Sequence, residues 1–352
     1  MHNFQTLGNP AHMDNSSWMR LRVTRRTAVA PEIAEFELCN PCGPGSAVLP
    51  AFTPGAHLRL KTPSGAERKY SLVNSPADSA AHRRYVIAVK REANGGGGSQ
   101  SMHAHLHEGS TIEVNTPEAD APDNALLDNA FPLADSAKRF IFIAGGIGIT
   151  PILCMARTLQ EYEDTRERDP VPFKLFYLTR DAASAVYCNE ITALGAKALV
   201  HHDAGDAANA YDLWPVLEKP AAGTHVYCCG PRGLMEAVRD MTGHWPDSAI
   251  HFESFGVGDA AMFEPNQSFT IKLTSSGALI EVDMQHTALE ALRAHGCCVA
   301  SSCEAGSCGS CRTEYLSGDV EHRDLVLGED EKAHQIMVCV SRARGGELVL
   351  NL

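Results

Sequence analysis

Residues 301–316, SSCEAGSCGSCRTEYL, place three cysteines close together at Cys303, Cys308 and Cys311, and a fourth follows at Cys339. The glycines among these thiols disfavour a helix. The first residues lack the basic and apolar segments of a secretory signal, so we expect a reducing compartment. In such a compartment ordered cysteine spacing indicates metal binding or redox chemistry rather than disulfides.

The spacing C-x4-C-x2-C, with one more cysteine downstream, is typical of plant-type 2Fe-2S sites, in which four thiolates hold two irons. Such a loop turns its backbone N–H groups toward the inorganic sulfides, and the small residues between the thiols leave room for that. A structural zinc site is the alternative, although four-cysteine zinc sites usually use two C-x2-C pairs. The expected cluster ligands are Cys303, Cys308, Cys311 and Cys339.

Composition sets the class of protein. The chain has 352 residues, of which 44% are hydrophobic, so two to three domains are expected. A formal charge of -13 argues against nucleic acid and against an anionic membrane surface as partners. The most apolar run, which starts at Phe140, is broken by three glycines and a proline and is too short to span a bilayer. We therefore expect a cytoplasmic protein, with a monomer slightly favoured.

Hydrophobic patterning divides the chain into successive regions. Residues 1–17 are predicted to be a flexible extension, and 18–135 contain short alternating strands typical of an antiparallel barrel. In 136–258 strands alternate with helices, which predicts a parallel sheet of the nucleotide-binding type. Residues 259–267 form a linker. In 268–352 a hairpin and a helix capped by a threonine precede the cysteine loop.

Two stretches of the predicted barrel suit a flavin. The segment ERKYSLVNS offers a cation for a phosphate at Arg68, a planar aromatic ring at Tyr70 and a hydroxyl at Ser71. The segment NGGGGS, residues 94–99, opens a short helix whose N–H groups can receive an anion. An ordinary surface strand and a flexible hairpin tip remain alternatives.

Three strand ends of the predicted parallel sheet suit a dinucleotide. FIAGGIGITP places glycines between a strand and a helix, although it does not fit G-x-G-x-x-G, and a purely structural turn is the alternative. YLTRD and CCGPRG end two further strands, at the edge where such sheets bind nucleotides.

The ordered set RKYSL, YVIAVKRE, AGGIGITP, VYCCGP, HFESFG and IMVCVSRA resembles the phthalate dioxygenase reductase family, the reductases of Rieske-type aromatic-ring oxygenases, over roughly residues 18–352. The resemblance implies an antiparallel flavin-binding β-barrel, a parallel-sheet NAD-binding domain and a C-terminal β-grasp ferredoxin domain. It also implies electron flow from NADH through FMN and a 2Fe-2S cluster to an oxygenase acting on phthalate or a related aromatic acid. The reductase of a vanillate-type O-demethylase and a non-catalytic metal-binding protein are the alternatives.

The resemblance also assigns residues. For FMN it implies Arg68, Lys69, Tyr70, Ser71, Ala88, Val89, Lys90, Gly97, Gly98, Ser99, Thr150 and Phe255, and for NAD it implies Gly146, Gly148, Ile149, Pro151, Thr179, Arg180, Asp181, Cys229, Gly230 and Pro231. The hydride path is expected near Ser71, Thr150 and Cys229, without a general acid or base. FAD is the alternative flavin. Asp181 favours NADH because its carboxylate would repel a 2'-phosphate.

Two departures from the family pattern stand out. Gly96 occupies the place where the family's glycine turn often has an arginine, and the connection at 118–130 is longer than usual. The second contact to the flavin phosphate is therefore left open.

Overall fold

The computed structural model describes residues 16–41, 49–93, 97–117, 127, 129–166, 169–255 and 263–352. Most of the predicted insertion at 118–130 and the glycine turn at Gly96 lie outside these ranges. In the ranges that are described, the helices are too short or too polar to cross a bilayer. The described residues form three large sheets in succession and one two-stranded sheet.

The first sheet is antiparallel, has six strands and curls into a barrel. Its strands are β1 (Ser16–Ala30), β2 (Ile33–Cys39), β3 (His57–Lys61), β4 (Glu67–Ser71), β5 (Arg84–Lys90) and β6 (Thr111–Pro117), in the order β4-β3-β6-β1-β2-β5. A bridge between Leu72 and Ile87 joins the two ends of this order. Inward-facing residues such as Phe36 and Leu58 are fully buried, as strand alternation requires. The pairing of β1 with β6 already begins at Ser16, slightly before the predicted boundary.

Two short helices belong to the barrel. Helix α1 (Pro76–His82) begins after Ser75, whose side chain accepts a hydrogen bond from the backbone N–H of Asp78. Helix α2 (Gly98–His105) follows the glycine turn and packs beside β5. The first of these helices was not predicted from the sequence.

The second sheet is parallel and has the order β11-β10-β7-β8-β9. Its elements are β7 (Arg139–Gly145), α3 (Ile149–Thr165), β8 (Phe173–Thr179), α4 (Cys188–Ala193), β9 (Ala198–His202), α5 (Trp214–Leu217), β10 (Thr224–Cys229), α6 (Arg232–Met241) and β11 (Ile250–Glu253). The chain first adds strands on one side of β7 and then returns to add β10 and β11 on the other. The crevice between the carboxyl ends of β7 and β10 is therefore the topological switch point, where such sheets bind ligands.

The third sheet has the order β13-β12-β18-β14-β16, and a small β15-β17 pair lies apart from it. Its elements are β12 (Phe269–Leu273), β13 (Leu279–Val282), α7 (Ala288–Ala294), β14 (Arg312–Ser317), β15 (Val320–Glu321), α8 (Glu329–Lys332), β16 (Gln335–Met337), β17 (Arg342–Ala343) and β18 (Glu347–Leu350). Thr287 and Glu290 form a capping box at the start of α7. The pairing of β12 with both β13 and β18, with α7 packed on the sheet, is a β-grasp arrangement. The predicted fold class is confirmed.

Side-chain contacts join the barrel, the parallel sheet and the third sheet to one another. Arg157 donates to the carbonyl oxygen of Val73 at 2.7 Å and so joins α3 to the barrel. The guanidinium groups of Arg232 and Arg323 lie 4.7 Å and 5.0 Å from the centre of the Phe263 ring. These contacts tie the third unit to the second and fix where the cysteine loop lies.

Candidate redox site

The four predicted cluster ligands stand as two pairs of thiols. Hydrogen bonds link Cys303 with Cys308 and Cys311 with Cys339. Cys339 lies on the turn directly after β16, although its apolar neighbours in the sequence are typical of a strand. No three His, Cys, Asp or Glu side chains surround a single point in the described ranges. Two pairs of thiolates suit a two-iron cluster, in which each iron takes two cysteines.

Backbone amides of the cysteine loop point at sulfur. The N–H groups of Ala305 and Ser307 both donate to Cys303 Sγ at 3.4 Å. Positive φ angles at Glu304 and Gly306 turn the backbone this way, and a Cβ on Gly306 would lie 2.7 Å from a methyl group of Val340. Amides aimed at sulfur favour the thiolate, the form that binds iron.

The two thiols within a pair differ in pKa. A hydrogen bond from Cys303 lowers the pKa of Cys308 to about 5, while the same bond raises the pKa of Cys303. Each pair thus holds one thiol that is readily deprotonated, as metal binding requires. The loop fits the 2Fe-2S group.

The residues predicted to bind the flavin phosphate lie together at the start of α2. Gly97 has φ +76°, and a Cβ on Gly98 would lie 3.2 Å from Cγ and Nε of Arg68. A Cβ at this position would crowd the Arg68 side chain, which would have to shift by a few tenths of an ångström. A guanidinium beside a helix N-terminus is suited to a phosphate.

Other predicted flavin residues make contacts inside the protein. The hydroxyl of Ser99 accepts a hydrogen bond from the backbone N–H of Glu92 at 3.0 Å, and Lys90 forms an ion pair with the same Glu92 at 2.7 Å. Ala88 and Val89 are buried on β5. Their strand adjoins the end of β4 through the bridge at Leu72, so the structure brings these two parts of the motif together.

The residues expected beside the flavin ring lie at the end of β4. Burial raises the pKa of Tyr70 to about 12, so its hydroxyl stays neutral. Ser71 is buried and donates a hydrogen bond to Oε2 of Glu253 at 3.1 Å. Phe255, two residues further along, packs against the core shared by barrel and parallel sheet. Barrel and second sheet therefore meet where the ring was predicted to lie.

Glu253 is a titratable group that the sequence reasoning missed. It ends β11 with only 6% of its surface exposed. Burial raises its pKa to about 8, against the opposing effects of the Ser71 hydroxyl and the Lys69 charge. The available signal was a carboxylate inside the apolar segment HFESFG, since unpaired buried carboxylates are rare. Glu253 holds a proton at neutral pH.

The predicted nicotinamide motifs form two turns that touch at the switch point. A Cβ on Gly148 would lie 2.2 Å from the carbonyl oxygen of Cys229, and one on Gly230 would lie 2.8 Å from Cα of Gly145. Gly146, with φ +52°, faces open space. Glycines are thus required where the turns meet, and the open side leaves room for a dinucleotide.

The remaining predicted nicotinamide residues divide into buried and exposed groups. Ile149 and Pro151 are buried at the start of α3, as is Thr150, which was predicted to lie near the flavin, and all three side chains pack there. Cys229 is fully buried, and burial raises the pKa of its thiol. Pro231 lies exposed at the mouth of the crevice.

At the end of β8 the predicted ribose contacts are accessible. The hydroxyl of Thr179 lies 2.6 Å from Nδ1 of His202, on the neighbouring strand end. Arg180 and Asp181 are exposed, and hydrogen bonds from Ser184 lower the pKa of Asp181. An ionised carboxylate therefore stands at this edge of the sheet.

The three units converge on one junction. Ser71 of the barrel contacts Glu253 of the parallel sheet, and the backbone N–H of the next residue, Ser254, donates to the Ser307 hydroxyl of the cysteine loop at 3.3 Å. Lys69, one of the predicted flavin residues, donates from Nζ to the carbonyl oxygen of Ser302 in the cysteine loop. Flavin, nicotinamide and cluster motifs are thereby adjacent in space.

Comparison with known proteins agrees with this layout. Residues 271–344 match the 2Fe-2S iron-sulfur cluster binding domain, and residues 142–240 match the oxidoreductase NAD-binding domain. The phthalate 4,5-dioxygenase oxygenase reductase subunit of Pseudomonas putida is 51% identical over 94% of this chain and 96% of its own length. Vanillate O-demethylase oxidoreductase of Pseudomonas putida is 35% identical over 94% and 98%.

A solved structure has the same architecture. Phthalate dioxygenase reductase, described as a modular structure for electron transfer from pyridine nucleotides to 2Fe-2S, has a TM-score of 0.72 and 46% identity. The match covers 95% of this chain and 98% of that chain.

Proposed function

This chain belongs to the phthalate dioxygenase reductase family, and from that premise we propose that it carries electrons from NADH through FMN and its 2Fe-2S cluster to a Rieske-type aromatic-ring dioxygenase. It is an oxidoreductase with an NAD-binding domain and a 2Fe-2S domain. When bound, FMN takes both electrons of a hydride and releases them singly. Phthalate or a related aromatic acid is the proposed substrate of the partner.

The observation that carries the proposal is the junction of the three units. A hydride donor and a one-electron acceptor can exchange electrons through a flavin only if both lie against it. Ser71, Glu253 and Ser307 join the flavin strand, the end of the parallel sheet and the cysteine loop in one chain of contacts. Separate domains without such a junction would indicate a binding protein.

The residues of the chain bind and orient the reactants. Arg68 and the start of α2 receive the flavin phosphate, and Tyr70 supplies a neutral aromatic surface for the ring. The open side of Gly146 admits the pyrophosphate of NADH. Glu253 holds a proton beside Ser71 in a site closed to water.

An absorption spectrum of the protein before and after anaerobic NADH tests the proposal. We expect a flavin band and a broad iron–sulfur absorption, both of which bleach within the mixing time of a cuvette experiment. NADPH should act much more slowly, because it would bring its 2'-phosphate close to the carboxylate of Asp181. A protein without flavin, or a flavin band that NADH leaves unchanged, contradicts the proposal.

The order of carriers is tested by Cys308→Ser. Loss of one of four ligands should abolish reduction of cytochrome c, which takes electrons from the cluster. Reduction of ferricyanide, which also accepts electrons directly from the flavin, should fall far less. Steady-state assays with both acceptors measure the two activities, and an equal loss of both contradicts the order NADH, flavin, cluster.

The identity of the partner is tested by reconstitution. Oxygenase components of the phthalate type and of the vanillate O-demethylase type are each supplied with this protein and NADH, and product formation is measured. We expect faster turnover with the phthalate-type oxygenase, since the phthalate relative is 51% identical and the vanillate relative 35% identical. The reverse order would favour the O-demethylase alternative. We further propose a monomer that acts in the cytoplasm, where its cysteines remain reduced.

A further inference from the structure

We propose that Lys69 is a positioning residue that holds the cysteine loop against the flavin strand through its hydrogen bond to the Ser302 carbonyl, and that this contact sets how fast electrons pass to the cluster. The inference rests on the proposed function. It assigns to Lys69 a role at the cluster side of the strand.

The first support is the location of the two bonded groups. Lys69 lies on β4, directly before Tyr70 and Ser71. Its Nζ donates to the backbone oxygen of Ser302, and Ser302 directly precedes the cluster ligand Cys303. A single hydrogen bond therefore joins the strand that carries the predicted flavin residues to the residue directly before a predicted cluster ligand.

The second support is the charge around the ammonium group. Lys69 interacts electrostatically with the carboxylate of Glu304, which also accepts hydrogen bonds from Ser301 and Arg293. Lys69 also acts on the buried carboxyl of Glu253. The ammonium charge thus interacts with an acidic residue of the cysteine loop and with the carboxyl group at the end of β11.

The third support is the conformation of the loop that receives the bond. Glu304 has φ +55°, a left-handed conformation that is unfavourable for a residue with a side chain. Its carboxylate accepts hydrogen bonds from Arg293 at 3.0 Å and from Ser301 at 2.9 Å. Contacts on both sides of Cys303 thus hold the strained segment, and Lys69 provides the one from the barrel.

The transfer itself needs no further reactant. When bound, the reduced flavin would donate one electron at a time to a ferric iron of the cluster held by the four cysteines, and no covalent bond would form or break. The rate of this electron transfer falls as the mean distance between flavin and cluster grows. A charge-assisted hydrogen bond across the boundary keeps the cysteine loop close to the flavin strand.

The test compares Lys69→Met, which keeps the length of the side chain but removes the donor, with Lys69→Arg, which keeps a cationic donor. Both are prepared as full-length protein with flavin and cluster, and the contents of both groups are measured. We expect the ratio of cytochrome c to ferricyanide reduction to fall about tenfold in K69M, the factor expected when one charge-assisted hydrogen bond is lost. K69R should restore most of this ratio.

A second readout does not depend on activity. Hydrogen–deuterium exchange of residues 300–309 should be faster in K69M than in the wild type and close to wild type in K69R. Lys61→Gln is the matched control, since Lys61 is also a barrel lysine but pairs with Glu113 at 3.5 Å. This control should change neither readout.

The outcomes separate the two proposals. A wild-type protein without flavin or without NADH oxidation would overturn the proposed function. A functional wild type with an unchanged acceptor ratio and unchanged exchange in K69M would overturn the role of Lys69 alone. Equal losses in K69M and K69R would also overturn it, because the donor would then be irrelevant.

Discussion

At the residue scale, Glu253 shows how burial changes chemistry. A carboxyl group ordinarily loses its proton well below neutral pH, but Glu253 has lost almost all contact with water and has one hydrogen bond, from Ser71. Its pKa of about 8 leaves it protonated beside the predicted flavin ring. The site thereby contains a proton that can be exchanged near neutral pH.

Glu253 should make stability depend on pH. Between pH 4.5 and about 8 the folded chain keeps this proton and the unfolded chain does not, so rising pH favours unfolding. Each pH unit in this interval should lower the free energy of unfolding by up to about 1.4 kcal/mol. Urea unfolding at pH 6 and pH 8 measures this change in the free energy of unfolding. The change should be much smaller in Glu253→Gln.

Glu347→Gln is the control for this prediction, because Glu347 is an exposed carboxylate on β18. It should leave the pH dependence as in the wild type. If E253Q and the wild type show parallel profiles, Glu253 is ionised in the folded chain at neutral pH, contrary to our interpretation.

At the scale of elements, the β7–α3 and β10–α6 turns form the nicotinamide crevice only because both are free of side chains where they touch. A Cβ on Gly148 would meet the carbonyl oxygen of Cys229, which belongs to a strand and cannot move aside. The glycines thus serve close backbone packing as well as ligand access.

Gly148→Ala should separate the two turns. We expect a loss of at least about 2 kcal/mol in the free energy of unfolding, as in other overpacked sites, together with a higher KM for NADH. Urea unfolding and ferricyanide assays measure these quantities.

Gly233→Ala serves as the control for the crevice. Gly233 lies in the first turn of α6, and a Cβ there would have no atom within 4 Å. This change should raise stability by up to about 1 kcal/mol, because glycine is unfavourable in a helix. If G148A and G233A behave alike, close packing of the turns is not the reason for glycine at position 148.

At the scale of the whole molecule, electron transfer depends on how the third unit docks. Arg232 donates to the carbonyl oxygen of Arg323 at 2.6 Å, and both guanidinium groups lie over Phe263. Leu325, from the third unit, is buried in the core of the second. These contacts hold the cysteine loop at the junction.

Phe263→Leu should loosen this docking, since it keeps an apolar side chain but removes both cation–π contacts. We expect a loss of about 1–2 kcal/mol in the free energy of unfolding and a lower ratio of cytochrome c to ferricyanide reduction. Exchange at residues 321–325 should accelerate, whereas exchange in β7 should not. A wild-type ratio in F263L would show that docking does not depend on this ring.

Much of the fold was predictable because its signals are local. Alternation in the barrel strands, the glycines of the β7–α3 and β10–α6 turns and the N-cap at Thr287 depend on neighbouring residues, and the described residues contain these features. Helix α1 was missed although Ser75 and Pro76 form a standard helix start, because seven residues are too few to show a helical period.

The sequence by itself determined the family and predicted the four cluster cysteines and the two nicotinamide turns, since each depends on residue type and spacing within one segment. Only the tertiary structure decided that the thiols stand in pairs, that Glu253 keeps its proton and that Lys69 reaches Ser302. These features join residues far apart in the chain. Their energies depend on distance and on exclusion of water, which no local pattern encodes.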